Sequence, residues 1–416
     1  MRVDITSKPV AVPLAALWVA ALAAGLVGLW LRLTTGHELA NYTSSIPWGL
    51  WIAAYVYFMG LSAGLYLIAA SAYVFRFERL QPFIKLGLFA ALVSLSAGLL
   101  IVWLDLGHME RFYTVYTRGS TQSMMAWLVW MYTLYLLLLT VSFWFVMRAD
   151  MAEWATGDGW RGRLATLLVL GRTDRSDHNQ ESDRRTLGIL FTFGIPLVLA
   201  TIGGSGALFG VVGARHYWNA PLMPILFIVS ALTSGAGLLA LLVALLAPPE
   251  ERERREQALR FLGKALIGLV VTYALLLWAE FSITLYADIP ASSEAAYQVL
   301  GGPYPWVFWV FQVALGTIIP LAILTARPRS GDWIGLAGML VAASFLATRL
   351  NIVIPGFVEP QLAGLDLAYE EARLAYDYFP SAMEWLVLVF VGAFATGVFY
   401  LGFRVLPLMG GRKEAS

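Results

Sequence analysis

The sequence has no cysteine. The protein therefore holds no structural disulfide, no thiolate zinc site and no iron–sulfur cluster of its own, because each of these needs cysteine sulfur. Histidine is also rare: His37, His108, His178 and His216 are the only four, and no two lie at matching depths in predicted helices. A membrane haem b usually takes histidine ligands from within helices, so no haem is expected.

Charge is scarce as well. Only 13% of the residues are charged, 59% are apolar and the net charge is +1. A soluble domain carries about twice that charged fraction, and a near-neutral protein lacks the basic footprint of a nucleic-acid-binding protein. Apolar runs of about 20 or more residues recur along the sequence, and each is long enough to cross a bilayer. The sequence therefore predicts an all-α integral membrane protein.

About ten transmembrane helices are predicted, over residues 10–33, 47–74, 82–104, 121–147, 186–208, 221–246, 262–286, 304–325, 333–350 and 380–406. Residues 1–416 then form a single polytopic membrane domain with two long loops, 148–185 and 352–379, the first of which is expected to be helical only near residues 164–170. Ala21-Leu22-Ala23 resembles a signal-peptide cleavage site, but the apolar run continues beyond it, which favours a retained first helix.

A short internal similarity suggests a repeat. Ala63-Gly64-Leu65 in the second predicted helix matches Ala236-Gly237-Leu238 in the sixth. Gly60, Ala63 and Gly64 also give the second helix a small-residue face suited to close packing. Since repeats are common in membrane proteins, we expect two four-helix units, helices 2–5 and 6–9, flanked by helices 1 and 10.

The distribution of basic residues predicts the orientation. One side of the membrane receives both termini and the connections after helices 2, 4, 6 and 8. That side holds all but six of the 28 Lys and Arg residues, so both termini are predicted to be cytoplasmic. The connection 148–185 is then cytoplasmic and 352–379 extracytoplasmic. The six exceptions are Arg32, Arg111, Arg118, Arg215, Arg349 and Arg373.

The connection after the third helix concentrates reactive side chains. Asp105, His108, Glu110 and Arg111 fall within seven positions, and aromatic residues follow immediately. Ionisable residues at a membrane boundary are costly and are functional candidates by default. A charged interfacial loop is the alternative interpretation.

Quinone reduction is one chemistry that fits these residues, since it needs hydrogen-bond donors, a proton-exchanging group and apolar walls. His108 can donate to a carbonyl and titrates near neutral pH. Asp105 can orient the imidazole or pass a proton, and Arg111 can hold Asp105 ionised. Tyr113 and Trp48 supply walls, although Trp48 could equally be an interfacial belt residue.

Glu280 and Arg349 form a second candidate pair, near the same ends of their helices. They are either a structural ion pair or part of a proton-linked path to the quinone. Glu384 is expected to extend its carboxylate to the membrane interface, whereas His37 and His178 look like ordinary loop residues.

The loop 352–379 is acidic and could dock a soluble partner electrostatically, although a solvated loop would have a similar composition. Its charged residues are Glu359, Asp366, Glu370, Glu371 and Asp377 against Arg373.

Several motifs occur in a characteristic order: Pro47-Trp48-Gly49-Leu50-Trp51, Asp105-Leu106-Gly107 with Arg111-Phe112, Trp218-Asn219-Ala220-Pro221, Arg349-Leu350-Asn351, and Tyr378-Phe379-Pro380 with Glu384-Trp385. In these motifs the sequence resembles the NrfD-like, or polysulphide-reductase membrane-subunit, family. It looks most like the ten-helix branch, which includes membrane subunits of periplasmic hydrogenase and of sulfite-reductase-associated complexes.

The resemblance implies a haem-free, quinone-binding subunit of a respiratory oxidoreductase in a bacterial or archaeal cytoplasmic membrane, rather than a stand-alone enzyme. The cofactor would be menaquinone or ubiquinone. The implied partners are an extracytoplasmic iron–sulfur (ferredoxin-like) subunit and a further catalytic subunit. The family often has Arg-Pro after Asp-Leu-Gly, where this sequence has His108-Met109, so either His108 takes the role that an arginine fills elsewhere or the pocket is altered. Proton translocation stays open.

Two alternatives remain. A secondary transporter or channel would also have ten helices, a weak repeat, a glycine-interrupted fifth helix and intramembrane charges such as Glu280 and Arg349. A purely structural membrane anchor would hold a redox partner without binding quinone.

Overall fold

The computed structural model describes residues 8–157, 159–169, 177–360, 362, 364–368 and 371–409. Within these residues no strand occurs, and ten helices are long and apolar enough to cross a membrane. They are α1 (Lys8–Thr35), α2 (Leu50–Val74), α3 (Ile84–Asp105), α4 (Met124–Trp154), α5 (Asp177–Gly210), α6 (Met223–Leu246), α7 (Arg252–Ala287), α8 (Val307–Ala326), α9 (Gly331–Val353) and α10 (Ala382–Val405). The predicted all-α membrane fold is confirmed.

The segment 148–185 is more helical than expected. Helix α4 continues to Trp154, a short helix covers Trp160–Leu168, and α5 begins at Asp177. These polar extensions are stabilised by ion pairs between neighbouring helices. Arg148 pairs with Asp183, and Lys85 on α3 pairs with Asp150 on α4 at 2.5 Å.

Small residues allow the central helices to pack closely. Gly64 on α2 crosses Gly235 on α6 so tightly that a Cβ atom at Gly64 would lie 1.9 Å from the Ala231 carbonyl oxygen. Helices α6 and α9 cross in the same way, since a Cβ atom at Gly338 would lie 2.5 Å from the carbonyl oxygen of Gly237. The predicted small-residue face of α2 is therefore a packing face, as expected for helices in a bilayer.

Helices α1 and α10 pack together at the side of the bundle. A Cβ atom at Gly25 would lie 2.5 Å from the backbone of Phe390, and one at Gly28 would lie 2.4 Å from Leu386. Most of α1 is exposed, as a lipid-facing helix would be. This position agrees with the expected flanking role of the first and last helices.

Successive helices alternate in direction, so the bundle has two chemically different ends. We call the end where α3 stops the Asp105 end, and it also carries the connections after α1, α5, α7 and α9. We call the opposite end the Arg254 end, after a residue of the first turn of α7. The distribution of Lys and Arg predicts that the Arg254 end faces the cytoplasm.

Candidate functional site

Asp105, the last residue of α3, lies in a network of polar side chains. Tyr42 donates its hydroxyl hydrogen bond to Asp105 Oδ1 at 2.9 Å. The buried Arg32 guanidinium donates to the backbone carbonyls of Leu104 and Leu106, both at 2.7 Å. Arg32 therefore satisfies carbonyl groups left free where the helix ends. It also places positive charge beside Asp105, in the way that Arg111 was expected to do.

Glu384 of α10 belongs to the same network and is 0% exposed. Its carboxylate accepts hydrogen bonds from the Tyr378 hydroxyl and from the backbone N–H groups of Asn41 and Ser381, both at 3.0 Å. With Ser381 it forms a capping box at the start of α10. The expectation that Glu384 extends to the interface is therefore wrong, because its partners lie inside the fold.

His37 completes this group. Its ring centroid lies 5.7 Å from Tyr42 and 5.8 Å from Trp51, and its Nε2 atom is buried without a hydrogen-bond partner in the described part of the chain. Burial and the nearby Arg32 lower the pKa of His37, which favours a neutral imidazole. Burial and the Asp105 carboxyl hold the pKa of Tyr42 well above its usual value. We name Arg32, His37, Tyr42, Asp105, Tyr378 and Glu384 the Asp105 cluster.

The structure places the other predicted residues of this site on the surface. The side chains of His108 and Arg111 are 67% and 64% exposed, and their nearest nitrogen atoms lie 3.3 and 3.6 Å from Glu110 Oε1. Tyr113 is 52% exposed. The groups acting on the Asp105 carboxyl are Tyr42, Arg32 and Glu384, so the tertiary fold supplies its partners and the neighbouring loop does not.

The connection after α3 and the start of α4 expose an apolar surface, which we name the aromatic patch. A concentration of large exposed apolar side chains commonly marks an interface with lipid or protein. The patch consists of Trp103, Leu106, Phe112, Tyr113, Tyr116, Met125 and Trp127.

Trp48 belongs to a separate group of aromatic rings. It stacks on Trp218 with ring centroids 6.1 Å apart and meets Phe357 edge-on at 5.6 Å. Trp218 in turn donates a hydrogen bond from Nε1 to the Ile352 carbonyl at 2.6 Å. These contacts join the start of α2 to the connections that follow α5 and α9, so Trp48 packs against protein rings.

Arg349 is 2% exposed in the middle of the bundle. Its Nη2 atom donates to Ser230 Oγ at 2.6 Å, and its guanidinium lies 4.3 Å from the centre of the Phe227 ring. Its Nη1 atom is buried without a partner in the described residues. Among those residues Arg349 forms no ion pair with Glu280, which excludes the simple structural pairing considered from the sequence.

A polar network surrounds Gln312, which lies in a π-helical stretch of α8, Val307–Ile318. Gln312 donates from Nε2 to the Tyr273 hydroxyl at 3.0 Å and accepts at Oε1 from Asn351 Nδ2 at 2.7 Å. The Tyr273 hydroxyl donates to Thr348 Oγ1 at 3.4 Å. π-Helical turns are frequent at functional sites. We name Tyr273, Gln312, Thr348 and Asn351 the Gln312 network.

Glu280 faces this network across a small cavity of about 30 Å³, which Tyr217, Tyr273, Gln312 and Asn351 also line. That volume can hold about one or two water molecules, and the lining offers polar partners for them. Arg349 does not line this cavity and interacts electrostatically with Tyr273. Tyr273 therefore borders the same cavity as Glu280 and also interacts with Arg349.

Comparison with known proteins identifies the family. The family model described as polysulphide reductase, NrfD, matches residues 38–361. The chain belongs to the NrfD family. The matched segment includes Tyr42 and Asp105, whereas Arg32, His37, Tyr378 and Glu384 lie outside it. The Asp105 cluster of this NrfD-family protein therefore joins residues from within the matched segment to residues of the two flanking helices and their connections.

Three relatives illustrate the range of the family. A selenate reductase subunit of Mesobacillus selenatarsenatis is 35% identical over 396 residues, covering 94% of this chain and 92% of the relative. The Hdr-like menaquinol oxidoreductase integral membrane subunit of Archaeoglobus fulgidus is 28% identical over 380 residues, covering 89% and 87%. A polysulfide reductase chain of Wolinella succinogenes is 24% identical over 325 residues, covering 75% and 95%.

The sequence pointed to Asp105 as a focus but missed most of its surroundings. His37 had no helical or motif context to distinguish it from other loop histidines. Glu384 had a detectable signal, since Ser381 three residues before it fits the capping-box pattern. His216 belongs to neither polar group, and the side chain of His178 lies outside the described residues.

Proposed function

We propose that this chain is the quinone-reactive membrane subunit of a multi-subunit respiratory oxidoreductase. The observation that carries the proposal is the Asp105 cluster, a polar group at a membrane end of α3 beside exposed aromatic rings. The relatives are named as parts of reductases or oxidoreductases, and the Archaeoglobus relative is named for menaquinol. Menaquinone is accordingly the quinone we favour over ubiquinone.

The cluster fits a quinone head group. When bound, a quinone supplies two-electron, two-proton redox chemistry. The unpartnered Nε2 atom of His37 is available to hydrogen-bond a carbonyl, while Tyr42 orients Asp105, which would exchange protons with the site. His108, Arg111 and Tyr113 would close over the head group from the exposed loop. Trp48 would support the site indirectly, because its ring contacts fix the start of α2.

Partners would dock at the same end of the bundle. The aromatic patch offers apolar contact area, and the connection 352–379 adds exposed carboxylates and exposed apolar residues such as Asp366 and Leu367. Glu370 lies outside the described residues. We propose that an extracytoplasmic iron–sulfur (ferredoxin-like) subunit binds here and links the quinone to a further catalytic subunit, with both termini of this protein in the cytoplasm.

Glu280 and Arg349 would form a proton-linked route. Glu280 makes no hydrogen bond or ion pair with the described part of the chain, and it borders a cavity that can hold water. The Gln312 network leads from that cavity towards Arg349 through hydroxyl and amide groups. Such groups can relay protons with ordered water, and a buried cation biases where the proton resides.

Quinol-analogue binding tests the site. The complex would be purified with its partners in mild detergent and titrated with a fluorescent quinol analogue, using quenching as the signal. We expect Asp105→Asn to weaken binding at least about tenfold, since it removes an ionisable group that contacts the ligand. Asp288→Asn is the matched control, because Asp288 is exposed where α7 ends and lies outside the Asp105 cluster, and it should bind normally.

Two results would decide against the proposal. Unchanged analogue affinity in Asp105→Asn would remove the site assignment. A purified protein with neither quinone nor an iron–sulfur partner would remove the functional class, and transport by the isolated protein would then be the assay to make.

A further inference from the structure

A broad groove opens at the Arg254 end of the bundle, far from both polar groups described above. Its volume is about 850 Å³, which is within the range of ligand-binding clefts. The charged residues that line it are five bases and one acid: Arg79, Arg254, Arg260, Lys264, Arg329 and Glu78.

Three separate parts of the chain bring these bases together. Arg254, Arg260 and Lys264 lie on α7, Arg79 comes from the connection between α2 and α3, and Arg329 comes from the connection between α8 and α9. A general excess of basic residues on one side of the membrane does not by itself produce a shared cleft. The convergence of three segments therefore indicates a site for an anion.

Much of this positive charge has no partner among the residues that the structure describes. Arg254 lies 3.6 Å from Glu251, and Arg260 lies 3.0 Å from Glu256. In the described part of the chain, Arg79, Lys264 and Arg329 form no ion pair. Like charges held around one cleft repel each other, so a bound polyanion would stabilise the folded protein.

Apolar side chains beside the groove indicate the kind of anion. Phe75 is exposed where α2 ends, and the ring of Phe77 meets that of Phe261 on α7 at a centroid distance of 5.5 Å. Glu78 and Arg79 of the groove follow these two aromatic residues directly. A free phosphate has no apolar part that could contact the exposed aromatic rings. A phospholipid can place its acyl chains against these rings and its head group among the basic side chains.

We propose that this groove binds an anionic phospholipid with two phosphate groups, such as a diphosphatidylglycerol. The phosphates would accept hydrogen bonds from Arg79, Lys264 and Arg329, and the acyl chains would cover Phe75 and Phe77. The lipid would join the α2–α3 hairpin to α7 and to the α8–α9 connection. This binding is independent of quinone chemistry at the opposite end.

The test uses the full-length protein, delipidated in mild detergent and titrated with diphosphatidylglycerol, phosphatidylcholine or inorganic pyrophosphate. Thermal unfolding and native mass spectrometry would report stabilisation and retained lipid. We expect diphosphatidylglycerol alone to raise the unfolding temperature. The double variant Arg79→Gln/Lys264→Gln should bind it about 30-fold more weakly, because two cations near the phosphates are lost.

Matched variants separate the possible outcomes. Arg163→Gln/Arg185→Gln removes the same charge from exposed positions outside the groove and should bind lipid normally, while Phe75→Ser should weaken only lipid binding. Equal stabilisation by pyrophosphate would overturn the lipid assignment in favour of a free anion. Equal losses in both double variants would show general charge attraction and overturn the site. If the groove double variant does not fold, Arg329→Gln alone serves the same comparison.

Discussion

Two glutamates illustrate two ways in which a membrane bundle accommodates polar groups. Glu384 is completely buried and accepts hydrogen bonds from one hydroxyl and two backbone N–H groups. Glu280 is partly buried, has no hydrogen bond or ion pair within the described residues, and borders a cavity large enough for water. The first carboxylate is fixed by its donors, whereas no donor in the described residues fixes the second.

Position inside the bundle therefore does not by itself show whether a carboxylate is held by hydrogen bonds. A buried carboxylate that accepts several hydrogen bonds holds its donors in place and stabilises the structure around it. A carboxylate beside water-sized space can change its protonation state without stranding any donor. The same criterion applied to nitrogen atoms selects His37 Nε2, Arg148 Nη1 and Arg349 Nη1 among the described residues, and the first and third of these lie at the two polar groups described above.

Truncating Glu384 and truncating Glu280 should lower the free energy of unfolding by very different amounts. Glu384→Ala strands three donors and should lower the free energy of unfolding by at least about 3 kcal/mol, whereas Glu280→Ala strands none and should lower it by less than about 1 kcal/mol. Thermal unfolding and the monodisperse fraction in detergent measure both. Equal costs for the two variants would contradict the distinction, and Glu384→Gln should be intermediate because one acceptor oxygen remains.

Arg349→Met tests whether the buried cation serves chemistry or folding. Arg349 has no carboxylate partner among the described residues and one unpaired nitrogen, so replacing it with an apolar side chain of similar length should change stability by no more than about 1 kcal/mol. Quinol-dependent proton uptake by the complex should nevertheless fall at least about tenfold. Ser230→Ala, which removes its hydrogen-bond acceptor, should give a smaller loss. A folding defect with normal proton uptake in the remaining folded complex would assign Arg349 a structural role.

Replacing one tyrosine with phenylalanine in the Asp105 cluster and one in the Gln312 network compares the stability that each hydroxyl contributes. Tyr42→Phe removes a hydrogen bond to a carboxyl group and should cost about 1 to 3 kcal/mol. Tyr273→Phe removes longer contacts to neutral groups beside the cavity, where water can replace the hydroxyl, and should cost less than about 1 kcal/mol. Paired thermal unfolding curves measure the difference. A larger loss for Tyr273→Phe would show that the Gln312 network is the more rigid one.

The architecture could be predicted well from the sequence because transmembrane helices produce local sequence patterns. Long apolar runs identify the ten helices, and the small residues around Gly64 identify a packing face before any partner is known. The helical content of the segment 148–185 was underestimated. Ion pairs such as Arg148–Asp183 stabilise polar helix extensions there, and hydropathy does not detect such extensions.

The candidate site was less predictable for a physical reason. Hydrogen bonds such as Asn41 to Glu384 join residues that lie more than 300 positions apart, and no spacing rule anticipates them. Asp105 could be selected because a charge at a helix end is costly wherever it lies. Its partners were chosen from the adjacent loop, and the structure replaces Arg111 with Arg32 because the end of α1 packs beside the end of α3.

Replacing His37 should change the pH dependence of the unfolding temperature by a small amount. Burial and Arg32 lower the pKa of His37 below the ordinary value of 6.5, so the folded state favours the neutral imidazole. The associated stability is complete above pH 6.5 and is lost as the pH falls through the lower folded pKa. His37→Gln cannot titrate, and its unfolding temperature should fall less between neutral and mildly acidic pH than that of the wild type. His216→Gln, at an exposed position, should keep the wild-type profile. If His37→Gln and the wild type gave parallel profiles, the imidazole would not be held neutral in the Asp105 cluster.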